Sequence, residues 1–174
     1  MNRSGRLLAG SAAALAIGIL AGCDRVLPPK LVLPTDEEAA AFYAHHSGVE
    51  RVALNGTIVE VVVHQPESQL ERGGTLWAKV GPYVHLLSPD TEALFQQYNG
   101  VAAVRVTTVT SQDRQVARVM LRRDALSDIL WRRSHNMLGH ALQRGTERPR
   151  LLEELVEWGE RYAEYEYNPE FVSR

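Results

Sequence analysis

The sequence predicts an α+β domain. We expect a small antiparallel β-barrel of five strands with a helix between the third and fourth strands, a short helix before it and a helical hairpin after it. Apolar residues alternate with period two between residues 49 and 123, and they repeat at helical spacing on either side of that stretch. Capping residues mark the helix starts, and glycine, proline or polar clusters separate the short apolar runs.

The first element is a short helix within residues 35–48. Glu38 follows Thr35 at the spacing of a capping box, in which each side chain binds the backbone N–H of the other residue. Acidic side chains in the first turn also interact favourably with the helix dipole. Gly48 is a residue type that often follows a helix end. We therefore expect a helix from about Asp36 to Ser47.

Residues 49–123 are assigned to the barrel. The first strand is predicted to run through Gly56, where the apolar residues change parity, because a glycine at such a change is typical of a β-bulge in one long strand. The residues of opposite parity are Val52 and Leu54 before the glycine and Val59, Val61 and Val63 after it.

The remaining barrel elements follow from turn and cap signals. We expect a polar loop over 65–75, short strands over 76–80 and 83–87 joined by Gly81-Pro82, a helix over 88–100 capped by Ser88, and strands over 101–110 and 115–122. Ser111-Gln112-Asp113 is the turn between the last two strands.

This order of elements resembles the OB-fold, a five-stranded barrel that often binds ligands on its second and third strands. The resemblance places four candidate ligand-facing side chains there: Trp77, Lys79, Tyr83 and His85. The competing interpretation is that Trp77 and Tyr83 belong to the core. The alternative fold is an open antiparallel sheet of another α+β type.

Residues 124–174 are predicted to form the helical hairpin and a tail. Helical spacing runs from Ala125 to Arg144 and resumes at Thr146, so almost no loop separates the two helices. Asn168-Pro169 breaks the second helix. The aromatic and acidic residues around this break form either an ordered tail packed on the domain or a docking segment for a partner.

The N-terminal residues have the pattern of a secretory signal peptide. Residues 1–22 contain two arginines followed by an uncharged stretch from Leu7 to Leu20, which is too short to cross a bilayer. Leu20-Ala21-Gly22-Cys23 resembles the lipobox of bacterial lipoproteins. The resemblance implies cleavage after Gly22, a diacylglyceryl thioether on Cys23, frequent acylation of the new amine, and anchoring in the cell envelope on the periplasmic side.

Residues 23–34 are interpreted as the lipidated cysteine and a proline-rich tether. Pro28, Pro29 and Pro34 favour an extended chain of about 3.1 Å per residue, which would lift the domain roughly 30 Å from the lipid. The alternative is an arm packed on the domain through Leu31-Val32-Leu33. Asp24 follows the cysteine, a position that in enterobacterial lipoproteins favours the inner membrane, but the choice between inner and outer membrane stays open.

Composition narrows the function. After cleavage the chain keeps 17 Lys+Arg against 21 Asp+Glu, and this mild acidity argues against binding nucleic acid. Cys23 is the only cysteine, so no intramolecular disulfide can form. A lipidated cysteine has no free thiol, which excludes cysteine catalysis and a zinc–thiolate site.

The histidines do not predict a metal site. His135 and His140 are five residues apart and His45 and His46 are adjacent, so neither pair would share one face of a helix. No catalytic motif and no cofactor are predicted. We expect a non-enzymatic envelope lipoprotein that binds a protein or an envelope polymer. The alternatives are an envelope hydrolase or sugar-active enzyme using His85 with Asp90 or Glu92, and a structural spacer.

Overall fold

A five-stranded mixed sheet, open at both edges and covered by helices, forms the domain in a computed structural model that describes residues 30–172. The helices are α1 (Asp36–Tyr43), α2 (Glu67–Leu86), α3 (Pro89–Gln97), α4 (Asp128–Arg144), α5 (Pro149–Tyr162) and α6 (Pro169–Val172). The strands are β1 (Val49–Asn55), β2 (Ile58–His64), β3 (Ala103–Val109), β4 (Gln115–Arg122) and β5 (Glu164–Tyr167), and they are neighbours in that order. The predicted α+β class is confirmed.

The long first strand was a wrong prediction. Gly56 lies in a two-residue turn, because Asn55 pairs with Ile58 and the two flanking strands form an antiparallel hairpin. Gly56 is the first central residue of this turn, and its φ of +64° is the positive value that a type II′ turn requires at that position. The change of parity therefore marks a reversal of the chain and not a bulge.

The predicted loop is helical from Glu67 onward, and so are the two predicted strands up to Leu86. All of these residues belong to α2, which is broken only at Gly74, where φ is +56°. Val80, Tyr83 and Leu86 repeat at helical spacing and are fully buried, so packing stabilises the helix although it contains Pro82. Gly81-Pro82 is thus part of a helix and not a hairpin turn.

The antiparallel barrel was also wrong. Without strands over 76–87, the chain passes from β2 through α2 and α3 to β3, and β2 and β3 pair in parallel. A parallel pair needs such a long crossover connection. The sheet of residues 30–172 is open, so it is not an OB-like barrel. It contains a parallel pair, so it is not the all-antiparallel alternative either.

One face of the sheet carries the core. Val61 of β2 pairs with Val52 of β1 and Val106 of β3, and Val106 pairs with Val119 of β4. Val61, Val106 and Val119 are almost completely buried. The opposite face carries charged pairs such as Glu60 with Arg105, whose Oε1 and Nη1 lie 2.8 Å apart. The helices therefore cover one apolar face, as in a two-layer domain.

The predicted helices outside the barrel are confirmed, with shifted ends. Thr35 and Glu38 make both bonds of the capping box before α1, at 3.2 and 2.8 Å. The hairpin consists of α4 and α5. The tail is ordered, because β5 adds to the edge of β4 and the chain turns into α6 after Asn168.

Arg123 fixes the end of α3 to the sheet. Its Nε donates a 2.6 Å hydrogen bond to the carbonyl of Val101, and its two terminal nitrogens donate to the carbonyls of Phe95 and Tyr98. Partial burial lowers the pKa of this guanidinium. One side chain therefore donates to three carbonyls at the end of α3 and in the segment after it, where helical hydrogen bonds are ending.

Residues 30–34 lie on the domain, so the spacer prediction is wrong for this part of the tether. Val32 N donates to Asn99 Oδ1 at 2.6 Å, and Gly100 N donates to Val32 O at 2.8 Å. Backbone bonds hold this arm, whereas the side chains of Leu31, Val32 and Leu33 are 67%, 46% and 41% exposed. Cys23 and the lipobox lie outside the described residues.

None of the helices between residues 30 and 172 combines the length and the apolar character that crossing a bilayer requires.

Candidate functional site

A cleft of about 820 Å³ opens at the carboxyl ends of the two parallel strands. Val63, His64 and Gln65 line it from β2 and the residue after it, and Thr108 lines it from β3. In open α/β sheets this end of parallel strands is where ligands usually bind. We call this cavity the cleft.

Helix α2 supplies one wall of the cleft. Trp77, Val80, Gly81, Val84 and His85 line it at intervals of three and four residues, which is one face of a helix. The correction of this segment from hairpin to helix therefore decides which of its side chains reach the cleft.

The four predicted ligand-facing residues are divided between two environments. Trp77 and His85 line the cleft. Tyr83 is completely buried, and its hydroxyl contacts that of Tyr167 at 2.8 Å. Lys79 Nζ lies 3.5 Å from Glu160 Oε1 and above the Tyr167 ring. The core interpretation is thus correct for Tyr83, and Lys79 contacts the C-terminal segment of the chain.

A cluster of three histidines and one aspartate lies at the rim of the cleft; we call it the histidine cluster, comprising His45, His46, His85 and Asp90. His46 is its centre. Its Nδ1 shares a 2.9 Å hydrogen bond with His85 Nδ1, and its Nε2 lies 2.9 Å from Asp90 Oδ2. His45 Nε2 lies 3.4 Å from the same carboxylate oxygen.

The turn after α1 brings His45 and His46 to the cluster. The helix ends at Tyr43, so the angular argument for adjacent helical residues does not apply to this pair. Gly48 anchors the turn: its carbonyl accepts a 2.7 Å bond from His64 N, and its φ is +80°. A Cβ at this position would approach His64 O to 2.8 Å, which explains the glycine.

Asp90 is placed by the start of α3. Ser88 caps this helix by accepting a hydrogen bond from Thr91 N, and Pro89 occupies the first turn. Thr91 Oγ1 and Ser88 Oγ both donate to the carbonyl of His85, at 2.9 and 2.7 Å. These buried bonds tie the end of α2 to α3, so His85 and Asp90 are held by one rigid corner.

Burial decides the charge of His85. The side chain is 6% exposed, and desolvation together with the neighbouring His46 lowers its pKa to about 4. His85 is therefore neutral near pH 7, with one ring nitrogen able to accept a hydrogen bond.

These contacts show that His85 pairs directly with neither of the two acids predicted for it, Asp90 and Glu92. His85 reaches Asp90 through His46, whereas Glu92 Oε2 lies 3.6 Å from His135 Nε2. Sequence reasoning missed His45 and His46, because the signal that would have revealed them is the exact end of α1, and helix ends carry an uncertainty of one or two residues.

Gln65 adds a polar group to the cleft. It is 4% exposed, and its Nε2 donates to the carbonyl of Trp77 at 2.7 Å. Its Oε1 is buried and has no partner among the described residues. A buried acceptor of this kind is usually satisfied by a water molecule or a ligand.

In comparison with known proteins, no protein-family model, no curated protein and no solved structure matches the chain.

Proposed function

We propose that the chain is a lipid-anchored envelope lipoprotein whose domain binds a protein or an envelope polymer in the cleft. The observation that carries the binding role is the position of the cleft at the carboxyl ends of β2 and β3. The anchor rests on the sequence Leu20-Ala21-Gly22-Cys23. Two or more acyl chains would give stable attachment, at about 0.8 kcal/mol per buried CH₂.

The arm and the cleft lie at opposite ends of the sheet, which supports an orientation. The arm bonds to Asn99 and Gly100, just before β3 begins, whereas Thr108 in the cleft lies near its end. A strand of this length spans about 20 Å. Six residues lie between Cys23 and Lys30, and the seven steps from one to the other reach at most about 25 Å. The cleft would then open away from the membrane.

The exposed side chains of the arm support the same orientation. Leu31, Val32 and Leu33 face solvent in the structure and are close in sequence to Cys23. Transfer of such side chains out of water is favourable by roughly 25 cal/mol per Å². The arm would therefore form the membrane-facing end of the domain.

Replacing Cys23 by serine tests the anchor. The Cys23→Ser protein should leave the membrane fraction and should incorporate no labelled fatty acid, because the thioether cannot form. Membrane partition and labelling equal to those of the wild type would refute the lipoprotein assignment.

Site-specific photo-crosslinking in cells tests the cleft. A photoreactive residue at Ser68, which is exposed at the rim, should yield a discrete adduct. The matched control is Thr57, which is exposed in the β1–β2 turn at the other end of the sheet. Equal adducts from both positions, or none from Ser68, would contradict the binding role and favour a structural spacer.

An envelope hydrolase is the second candidate, favoured by the hydrogen-bonded series His85–His46–Asp90. A carboxylate that orients a histidine is a recurring arrangement in general acid–base catalysis. A panel of chromogenic esters, phosphoesters and glycosides tests it. Turnover that Asp90→Asn abolishes and His140→Ala preserves would establish hydrolysis, whereas no turnover of any substrate class would exclude it for these chemistries.

A further inference from the structure

Three potential ligand atoms converge at the rim of the cleft. One ring nitrogen each of His45 and His46 and one carboxylate oxygen of Asp90 all lie within 4.8 Å of one another. The two nitrogens are 3.4 and 2.9 Å from Asp90 Oδ2. Donors bound to one ion at 2.0–2.2 Å are separated by about 3.0–3.5 Å in octahedral or tetrahedral geometry. The two nitrogen–oxygen spacings are already close to this range, and the exposed His45 ring can rotate to bring the two nitrogens within it.

One tautomer of the hydrogen bond between His46 and His85 leaves His46 Nε2 with a lone pair that can bind a cation. When His46 donates its Nδ1–H to His85 Nδ1, its Nε2 presents a lone pair to Asp90 Oδ2 at 2.9 Å. Two acceptors at that distance repel each other unless a proton or a metal ion lies between them. Metal-bound histidines usually donate their second ring N–H to a neighbouring acceptor in this way.

We propose that His45, His46 and Asp90 bind one divalent transition-metal ion, with Zn²⁺ as the expected occupant, through the two Nε2 atoms and the carboxylate. Two imidazoles and one carboxylate are a donor set that suits zinc better than calcium or magnesium, which prefer oxygen ligands. His85 is a positioning residue, because it contacts His46 and not the ion.

The surroundings leave room for a further ligand on the ion. The three donor residues all line the cleft, and the His45 side chain is 71% exposed, so it can rotate toward the metal without disturbing the core. Zinc held by three protein ligands keeps a coordination position for water or a bound molecule. The metal site would thus place a Lewis acid at the mouth of the cleft.

Zinc binding to the full-length chain, purified in detergent without a histidine tag, tests the proposal with Zn²⁺ as the only probe. Isothermal titration of the chelator-treated protein should give one equivalent. His45→Ala and Asp90→Asn should each weaken binding at least about tenfold. His140→Ala is the matched control, because this exposed histidine on α4 lies outside the cleft, and it should bind as the wild type does.

A second measurement separates metal binding from loss of the fold. Each variant should keep the far-ultraviolet circular dichroism of the wild type. At the same Zn²⁺ concentration, the thermal midpoint should rise by less in His45→Ala and Asp90→Asn than in the wild type and His140→Ala, because a ligand stabilises the state that binds it in proportion to its affinity. The proposal is overturned if the wild type binds no zinc, or if His45→Ala and Asp90→Asn bind it as tightly as His140→Ala. Neither result depends on the lipid anchor or on the partner of the cleft.

Discussion

Replacing Gly159 by alanine tests the packing of α5 on α2, the contact that depends on residues 76–87 being helical. A Cβ at Gly159 would fall 3.0 Å from Cγ of Tyr83 and closer still to Cδ1 and Cε1 of the same ring. Ordinary contact between carbon atoms occurs at about 3.5–4.0 Å. Tyr83 is completely buried, so its ring has no free space into which it could move.

The magnitude follows from two opposing terms. Alanine in a helix interior is more favourable than glycine by roughly 0.5–1 kcal/mol. Overpacking a buried site destabilises by about 1–3 kcal/mol, and the close overlap with a fully buried ring places Gly159→Ala at the upper end. We therefore expect a net loss of about 2 kcal/mol, which lowers the thermal midpoint by about 4–8 °C in a domain of this size.

Gly139→Ala is the matched control. Gly139 lies inside α4, and a Cβ there would meet nothing within 4 Å, so only the helix-propensity term applies and the variant should gain about 0.5–1 kcal/mol. Urea denaturation followed by circular dichroism measures both variants. The close packing of Gly159 on Tyr83 is refuted if Gly159→Ala is as stable as Gly139→Ala. Tyr83→Leu in the Gly159→Ala background should recover part of the loss, because neighbouring substitutions couple.

Three further predictions concern other parts of the domain. Arg123→Met removes the hydrogen bonds that the guanidinium donates to the carbonyls of Phe95, Tyr98 and Val101, and the variant should lose about 1.5–3 kcal/mol in urea denaturation. Arg122→Met removes only an exposed ion pair with Asp124 and should leave the midpoint nearly unchanged. In metal-free protein, the pKa of His85 is about 4 when folded and about 6.5 when unfolded, so the unfolded state takes up the proton first; stability should be complete above pH 6.5 and fall by up to about 3 kcal/mol toward pH 4. His85→Gln should flatten that pH dependence, and an equally steep curve in this variant would assign it to other groups. Gly48→Ala adds an overlap with a backbone carbonyl to the strain of a positive φ, so its unfolding free energy should fall by more than that of Gly56→Ala, where φ is also positive and a Cβ meets nothing within 4 Å; equal losses would show that the carbonyl contact is unimportant.

Elements set by local chemistry were predictable from the sequence. The caps at Thr35 and Ser88 satisfy donors within their own first helical turn, and both helices begin where these residues predict. The turn at Ser111-Gln112-Asp113 is equally local, with Asp113 at φ +57°. No distant contact is needed to form these features.

Helix α2 could not be predicted from local chemistry. Gly73-Gly74 and Gly81-Pro82 are turn signals, and proline in a helix interior costs about 3 kcal/mol. Burial of Val80, Tyr83 and Leu86 outweighs that cost, because each fully buried side chain of this size contributes roughly 1.5–3 kcal/mol. The deciding contacts join residues far apart in sequence, and no window around residue 80 contains them.

The hairpin at Gly56 was misassigned for a related reason. A bulge and a two-residue turn both change the parity of the apolar residues, so the pattern is the same in either case. The pairing of Val59 with Leu54 distinguishes them, because it requires the chain to reverse. Asn-Gly at residues 55–56 is a hairpin signal and indicates a reversal here, although the central residues of the turn are Gly56 and Thr57.

The candidate site was unpredictable because it depends on the direction of one strand pair. In the all-antiparallel order, the carboxyl ends of β2 and β3 would have lain at opposite ends of the sheet. Parallel pairing brings the carboxyl ends of both strands to the same end of the sheet, where α1 and α2 end and α3 begins. Three helix termini and two strand ends thereby meet at the cleft, and the histidine cluster assembles from the turn after α1, the last turn of α2 and the first turn of α3. Parallel pairing also requires the chain to return to the opposite end of the sheet before β3 begins, and there Asn99 and Gly100 bind the arm. One topological feature therefore separates the proposed membrane-facing end of the domain from the cleft, and a test of either end also bears on the parallel order that relates them.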